Sequence, residues 1–77
     1  MSRFNKLLQR IMALSRDLRF DEVRKVLEAY GYVMYSSGGS HRKFRKPGRD
    51  TITIPEESPV KQAYVVDVRD AIEREGF

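Results

Sequence analysis

The chain contains no cysteine and no tryptophan, and it has a single histidine among its 77 residues. The absence of cysteine excludes disulfide bonds, thiolate metal sites and a cysteine nucleophile. The longest apolar runs, such as Tyr64-Val65-Val66, are too short to cross a bilayer, and Lys6 and Arg10 interrupt the stretch that a signal peptide would need. We therefore expect one small, soluble, cytoplasmic domain with a modest core and no membrane partner.

Positive charge is unevenly distributed along the chain. The net charge is +4, but residues 31–49 sum to +5 and residues 50–77 to −4. Five basic side chains with no acidic one among them make up the densest block: Arg42, Lys43, Arg45, Lys46 and Arg49. Such a local basic cluster favours a surface that binds a polyanion, although a solvated, solubilising patch has the same composition.

The spacing of apolar residues predicts three helices. Residues 3–18 form an amphipathic helix with a basic outer side. With one phenylalanine and no tryptophan, this helix has less aromatic bulk than a membrane anchor, so packing on a core or a partner is favoured over docking on a membrane surface. A second helix follows, capped by Asp21 and ended by Gly31, and a third runs from about Lys61 to Glu75.

Between the second and third helices the apolar period changes to two, which predicts strands over residues 32–36, 41–46 and 50–54. A glycine-rich turn joins the first two strands, and Pro47-Gly48 suits the centre of a type II turn between the next two. Short connections favour an antiparallel meander. The predicted class is α+β, a three-stranded antiparallel sheet with helices on one face.

Alternation along the second strand separates its basic residues into two sets. Phe44 is the only large apolar residue of that strand, so its side must face the helices. Arg42 and Lys46 share that side, near the rim of the sheet. The open side carries His41, Lys43 and Arg45.

Histidine changes protonation between about pH 5 and 8, so His41 can act as an acid or a base near neutral pH. RNA supplies its own nucleophile, the 2′-hydroxyl, and a ribonuclease therefore needs no metal. Lys43, Arg45 or Arg42 would support the phosphate. One positioned proton-transfer group is worth about 10²–10⁴ in rate, which predicts a slow nuclease. A lone histidine beside arginines is also common as an ordinary surface residue, and the pattern does not reveal a second proton-transfer group.

The triplet Gly39-Ser40-His41, on a predicted hairpin between a helix and a basic-aromatic strand, resembles the HicA family of type II toxin–antitoxin toxins. The similarity extends over about residues 20–75. Residues 1–19 would then be an N-terminal helical extension of the domain over residues 20–77, within one compact unit. The resemblance implies a double-stranded-RNA-binding-like α-β-β-β-α core, mRNA cleavage by an endoribonuclease without metal or cofactor, and a catalytic role for His41.

The resemblance also implies two partners, mRNA as the substrate and a HicB-like antitoxin that masks the site. Expected RNA-binding residues lie in the triplet, in the basic strand and at the start of the last helix: Gly39, Ser40, Arg42, Lys43, Arg45, Lys46 and Lys61.

Two features depart from the family pattern. Arg42 stands where many relatives carry a second histidine or an apolar residue, and the added first helix leaves room for self-association, altered antitoxin contact or an inactive member. A non-catalytic RNA-binding module on the same fold is the alternative function. DNA reading is less favoured, because no helix combines base-reading polar residues with a basic flank.

Overall fold

The secondary structure follows the predicted order of helices and strands. The computed structural model describes residues 2–36 and 38–76. Its elements are α1 (Arg3–Met12), α2 (Phe20–Ala29), β1 (Val33–Ser36), β2 (His41–Arg45), β3 (Ile52–Pro55) and α3 (Gln62–Arg74). The strands form one antiparallel sheet in the order β1-β2-β3, which confirms the predicted α+β class and meander.

None of the helices in the described ranges is both long enough and apolar enough to cross a membrane.

The helices cover one face of the sheet. Phe44 is fully buried in β2, opposite Met34 on β1 and Ile52 on β3. Its ring lies 6.1 Å from the ring of Phe20 on α2. On β3, Ile52 and Ile54 are buried while the threonine between them is exposed. The prediction that the Phe44 side faces the helices is therefore confirmed.

Helix α1 ends at Met12, so the prediction of a helix over residues 3–18 is wrong beyond that point. Leu14 has a positive φ of 55°, which is incompatible with continuing a right-handed helix. The Leu14 carbonyl accepts a hydrogen bond from Nε2 of Gln62 on α3 at 2.8 Å, and this bond ties the turn to α3.

The segment after α1 returns to the core without being helical. Arg10 holds this segment, since its guanidinium donates to Asp17 Oδ1 and to Glu22 Oε2, each at 3.0 Å. Leu18 is fully buried, and its carbonyl accepts a hydrogen bond from the Val60 amide at 2.7 Å. Leu18 thus lies on the apolar spacing that predicted the long helix, and it is buried, although a non-helical segment places it in the core.

The N-terminus of α2 is capped differently from the prediction. The helix begins at Phe20, so Asp21 lies in its first turn and is not the cap. The Arg19 amide donates to Glu22 Oε1 at 2.9 Å, and the Phe20 amide donates to Ser58 Oγ at 3.0 Å. Both amides precede the first intrahelical bonds, so these two side chains satisfy donors that the helix itself leaves unpaired.

A carboxylate shared by two cations ties the end of α3 to the β2–β3 turn. Glu75 accepts hydrogen bonds from Lys46 Nζ and from Arg49 Nε, each at 2.7 Å. Lys46 Nζ also donates to the Tyr30 carbonyl at the end of α2, again at 2.7 Å. The pKa of Glu75 is lowered, most by the hydrogen bond from Lys46 and next by the hydrogen bond from Arg49. This clamp therefore links α2, α3 and the turn whose Gly48 has the predicted positive φ, 78°.

Replacing Glu75 with glutamine should reduce the loss of stability in acid. Because the folded-state pKa of Glu75 is lowered, its ionised form stabilises the fold above the ordinary glutamate pKa, and this stabilisation is lost as pH falls through the lowered value. We expect the free energy of unfolding of the wild type to fall more steeply than that of Glu75→Gln between about pH 5 and pH 3. Urea unfolding across this range measures the difference. The exposed Glu57, changed to glutamine, is the control, and wild-type steepness in Glu75→Gln would contradict the clamp.

Candidate functional site

His41 lies on the sheet face that the helices leave uncovered. Directly opposed residues of antiparallel strands project to the same face. Opposite Lys43, the register places Tyr35 on β1 and Thr53 on β3. Applied along β2, the register defines this face, called the open face below, as Val33, Tyr35, His41, Lys43, Arg45, Thr53 and Pro55. The predicted grouping of the imidazole with two cations is confirmed, and no member of the open face is acidic.

The turn before β2 delivers His41 to the edge of this face. Gly39 has a φ of 64°, a left-handed conformation that costs a residue with a side chain about 1–2 kcal/mol. A Cβ at Gly39 would meet nothing within 4 Å, so the backbone conformation and not space requires glycine there. The Ser40 carbonyl accepts a hydrogen bond from the Glu56 amide at 2.6 Å, and His41 itself is exposed. The turn is thus anchored to the residue that follows β3, with the imidazole accessible.

Arg42, one of the expected RNA contacts, folds back over this turn. Its Nη1 donates to the Gly39 carbonyl at 2.7 Å and to the His41 carbonyl at 3.3 Å, while Nη2 donates to Glu56 Oε1 at 2.6 Å. Only 18% of the Arg42 side chain is exposed. The guanidinium therefore holds the backbone of the turn that carries His41.

Loss of Arg42 or of Glu56 should loosen the turn that carries His41. We expect Arg42→Gln and Glu56→Gln each to lower the free energy of unfolding by about 0.5–1 kcal/mol, measured by urea unfolding, because each breaks the same partly buried ion pair.

RNA affinity, measured on the glutamate variants, distinguishes an Arg42 that holds the turn from an Arg42 that binds a phosphate. If Arg42 bound a phosphate, Glu56→Gln would release the guanidinium and tighten binding beyond the small gain shown by the control Glu57→Gln. We expect the two glutamate variants to bind RNA alike.

The other expected RNA contacts differ in what their cations touch. Lys46 is held by Glu75 and the Tyr30 carbonyl, on the helix side of the sheet. Lys43 and Arg45 belong to the open face. Lys61 is exposed at the N-cap of α3 and is not among the residues that the sheet register brings to the open face.

Tyr35 and Val33, on the first strand, are members of the open face that strand alternation did not predict. The first predicted strand is apolar on both sides, so alternation alone does not show which side is inward. The pairing of Met34 with buried Phe44 decides the matter and turns Tyr35 and Val33 outward. The outward orientation of Tyr35 and Val33 can therefore be predicted only when the pairing of the first strand with the second is known.

A family model described as "HicA toxin of bacterial toxin-antitoxin" matches residues 20–66, more than half of the chain. The chain belongs to the HicA toxin family. The matched HicA region contains the whole sheet and the turn that carries His41, which confirms the resemblance noted in Gly39-Ser40-His41. The protein is thus a toxin of a toxin–antitoxin system, and membership of the family implies an antitoxin as its partner. Comparisons with curated proteins and with solved structures gave no match.

Proposed function

We propose that this HicA-family toxin is an endoribonuclease that cleaves mRNA with His41 as its catalytic residue. The observation that carries the proposal is the composition of the open face, where an exposed imidazole shares one sheet surface with Lys43 and Arg45 and with no carboxylate. A phosphodiester is attracted to such a surface, and the imidazole is accessible to it. The proposed substrate places the activity in the cytoplasm.

The reaction is an attack of the RNA 2′-hydroxyl on the adjacent phosphorus, with cleavage of the bond from phosphorus to the 5′-oxygen. The 2′-hydroxyl loses a proton and the departing 5′-oxygen gains one, and His41 carries one of these two transfers. Lys43 and Arg45 stabilise the negative charge that grows on the phosphate oxygens. The products are a 2′,3′-cyclic phosphate and a 5′-hydroxyl.

Incubation of the purified protein with a defined single-stranded RNA in the presence of a chelator tests this function. We expect slow cleavage that leaves 2′,3′-cyclic phosphate and 5′-hydroxyl ends. The matched control is the same oligonucleotide with 2′-O-methyl groups, which lacks the nucleophile and should stay intact. Cleavage of the methylated strand would contradict the mechanism.

RNA affinity measured at several salt concentrations, together with the cleavage assay, separates catalysis from binding alone. Two phosphate contacts, from Lys43 and Arg45, predict a slope of about −1.4 for the logarithm of affinity against the logarithm of salt concentration. Binding with this slope but without any cleavage would indicate the non-catalytic RNA-binding module instead.

We propose that a HicB-like antitoxin inhibits this toxin by covering His41 and the open face, so that RNA and antitoxin compete. Addition of a HicB-like antitoxin should therefore abolish cleavage and release bound RNA together.

A further inference from the structure

The open face presents an aromatic ring that the proposed cleavage chemistry does not use. Tyr35 is 50% exposed and Val33 is 54% exposed, and they are the large apolar residues left exposed in the described part of the chain. They stand two positions apart on β1 and so project together beside Lys43 and Arg45. The open face thus combines an exposed aromatic ring and an exposed aliphatic side chain with two cations.

Building on the proposed ribonuclease function, we propose that Tyr35 is a stacking platform for one unpaired nucleobase of single-stranded RNA. The Arg45 guanidinium lies 5.5 Å from the centroid of the Tyr35 ring, within the range of a cation–π contact. Sites for single-stranded nucleic acid combine aromatic rings, on which bases stack, with cations that bind the backbone, and arginine adds cation–π contacts.

The register places this platform next to the proposed catalytic residue. Tyr35 is directly opposite Lys43, and His41 and Arg45 lie two residues to either side of Lys43 on β2. Such diagonal neighbours are about 7–8 Å apart across an antiparallel pair. A base stacked on Tyr35 would therefore leave its own backbone beside the Lys43 ammonium and close to His41.

The chemistry of the face favours a single strand over a duplex or an apolar protein surface. In a duplex the flat faces of the bases are stacked on one another, so Tyr35 would find no partner there. The cations around Tyr35, with no carboxylate on the open face, complement a polyanion that carries exposed aromatic rings. An unpaired RNA segment has both properties.

A tryptophan placed at this position tests the platform directly, because the natural chain contains none. We expect the fluorescence of Tyr35→Trp, combined with His41→Ala to prevent cleavage, to be quenched by a short single-stranded RNA. A blunt duplex of the same sequence should quench it little. The matched control is Ala29→Trp, also with His41→Ala, whose tryptophan would stand exposed on α2 away from the sheet and should not respond. Equal quenching by duplex and single strand, or no quenching at all, would overturn the proposal.

Affinity gives a second readout that does not depend on fluorescence. In the His41→Ala background, Tyr35→Ala should weaken single-stranded RNA binding by about 5- to 140-fold, and Tyr35→Phe should restore it, because stacking needs the ring and not the hydroxyl. Wild-type affinity in a folded Tyr35→Ala variant would overturn the platform, as would loss of antitoxin binding alone with RNA binding unchanged, since that result assigns the ring to a protein contact.

The outcomes for the platform and for the nuclease are separable. Cleavage by the wild type together with an unchanged KM in Tyr35→Ala would reject the platform and leave the proposed function standing. Quenching of Tyr35→Trp by single-stranded RNA, with no cleavage by the wild type, would support the platform and reject the nuclease.

Discussion

Replacement of His41 by alanine should lower the rate of RNA cleavage by about 10²- to 10⁴-fold, the usual worth of one positioned proton-transfer group. The side chain is exposed and lies at the start of β2, outside the core. Its removal should therefore change the free energy of unfolding by no more than about 0.5 kcal/mol. Single-turnover cleavage of a labelled RNA and urea unfolding measure the two quantities on the same preparation.

Two further variants show whether the loss reflects proton transfer. His41→Gln keeps a polar side chain of similar size but cannot exchange a proton, so we expect it to be as slow as His41→Ala. Lys43→Gln should reduce both RNA affinity and the cleavage rate, because its charge binds the phosphate and stabilises the negative charge that grows on it, without moving a proton. In cells, induced wild type should arrest growth and His41→Ala should not. Cleavage by His41→Ala within tenfold of the wild type would remove His41 from the mechanism.

The exposure of His41 was predictable because it depends on a local rule. One large apolar residue, Phe44, sets the inward side of β2, and alternation then assigns every neighbour. The partners of Arg42 and Lys46 were not predictable in this way. Their carboxylates are 14 and 29 residues away in sequence, a separation at which no helix or strand spacing connects them.

The helices show the same division between local and distant causes. Leu7, Leu8, Ile11 and Leu18 lie on the apolar spacing of residues 3–18, and all four are buried. Their burial was predictable because it depends on which positions are apolar. The end of α1 at Met12 depends instead on Arg10 reaching Asp17 and on Gln62 reaching Leu14. One hydrogen bond within the segment and one from the distant helix α3 thus overrode an apolar spacing that suits a longer helix.

Replacement of Ile11 by alanine should be the most destabilising single truncation in α1, at about 2–5 kcal/mol. A chain of this size has a total free energy of unfolding of about 4–12 kcal/mol. Ile11 is fully buried, and two leucines of the same helix, Leu7 and Leu8, are nearly so. They share one cluster with buried residues of α2, α3 and the sheet, so the truncation would leave a cavity inside the common core.

The matched control is Gln9→Ala on the exposed side of the same helix. This change removes no buried atom and places a strong helix former in α1, so we expect a change in stability near zero or slightly positive. Urea unfolding measures both variants. The free energy of unfolding should depend on urea concentration with the same slope in each, so that a shifted midpoint reports stability. Equal stability of Ile11→Ala and Gln9→Ala would show that α1 contributes little to the core.

The expected size of the Ile11 effect bears on what α1 does in this HicA toxin. The family region, residues 20–66, excludes α1, yet α1 is joined to it by buried contacts, by the Arg10–Glu22 ion pair and by the stacking of Phe4 on Tyr30 at 6.5 Å. Its apolar side is therefore already used within the domain. Any contact with a second copy or with an antitoxin would have to use the polar side, so charge reversal at the exposed Lys6 should alter such a contact without unfolding the domain, whereas Ile11→Ala should do the opposite.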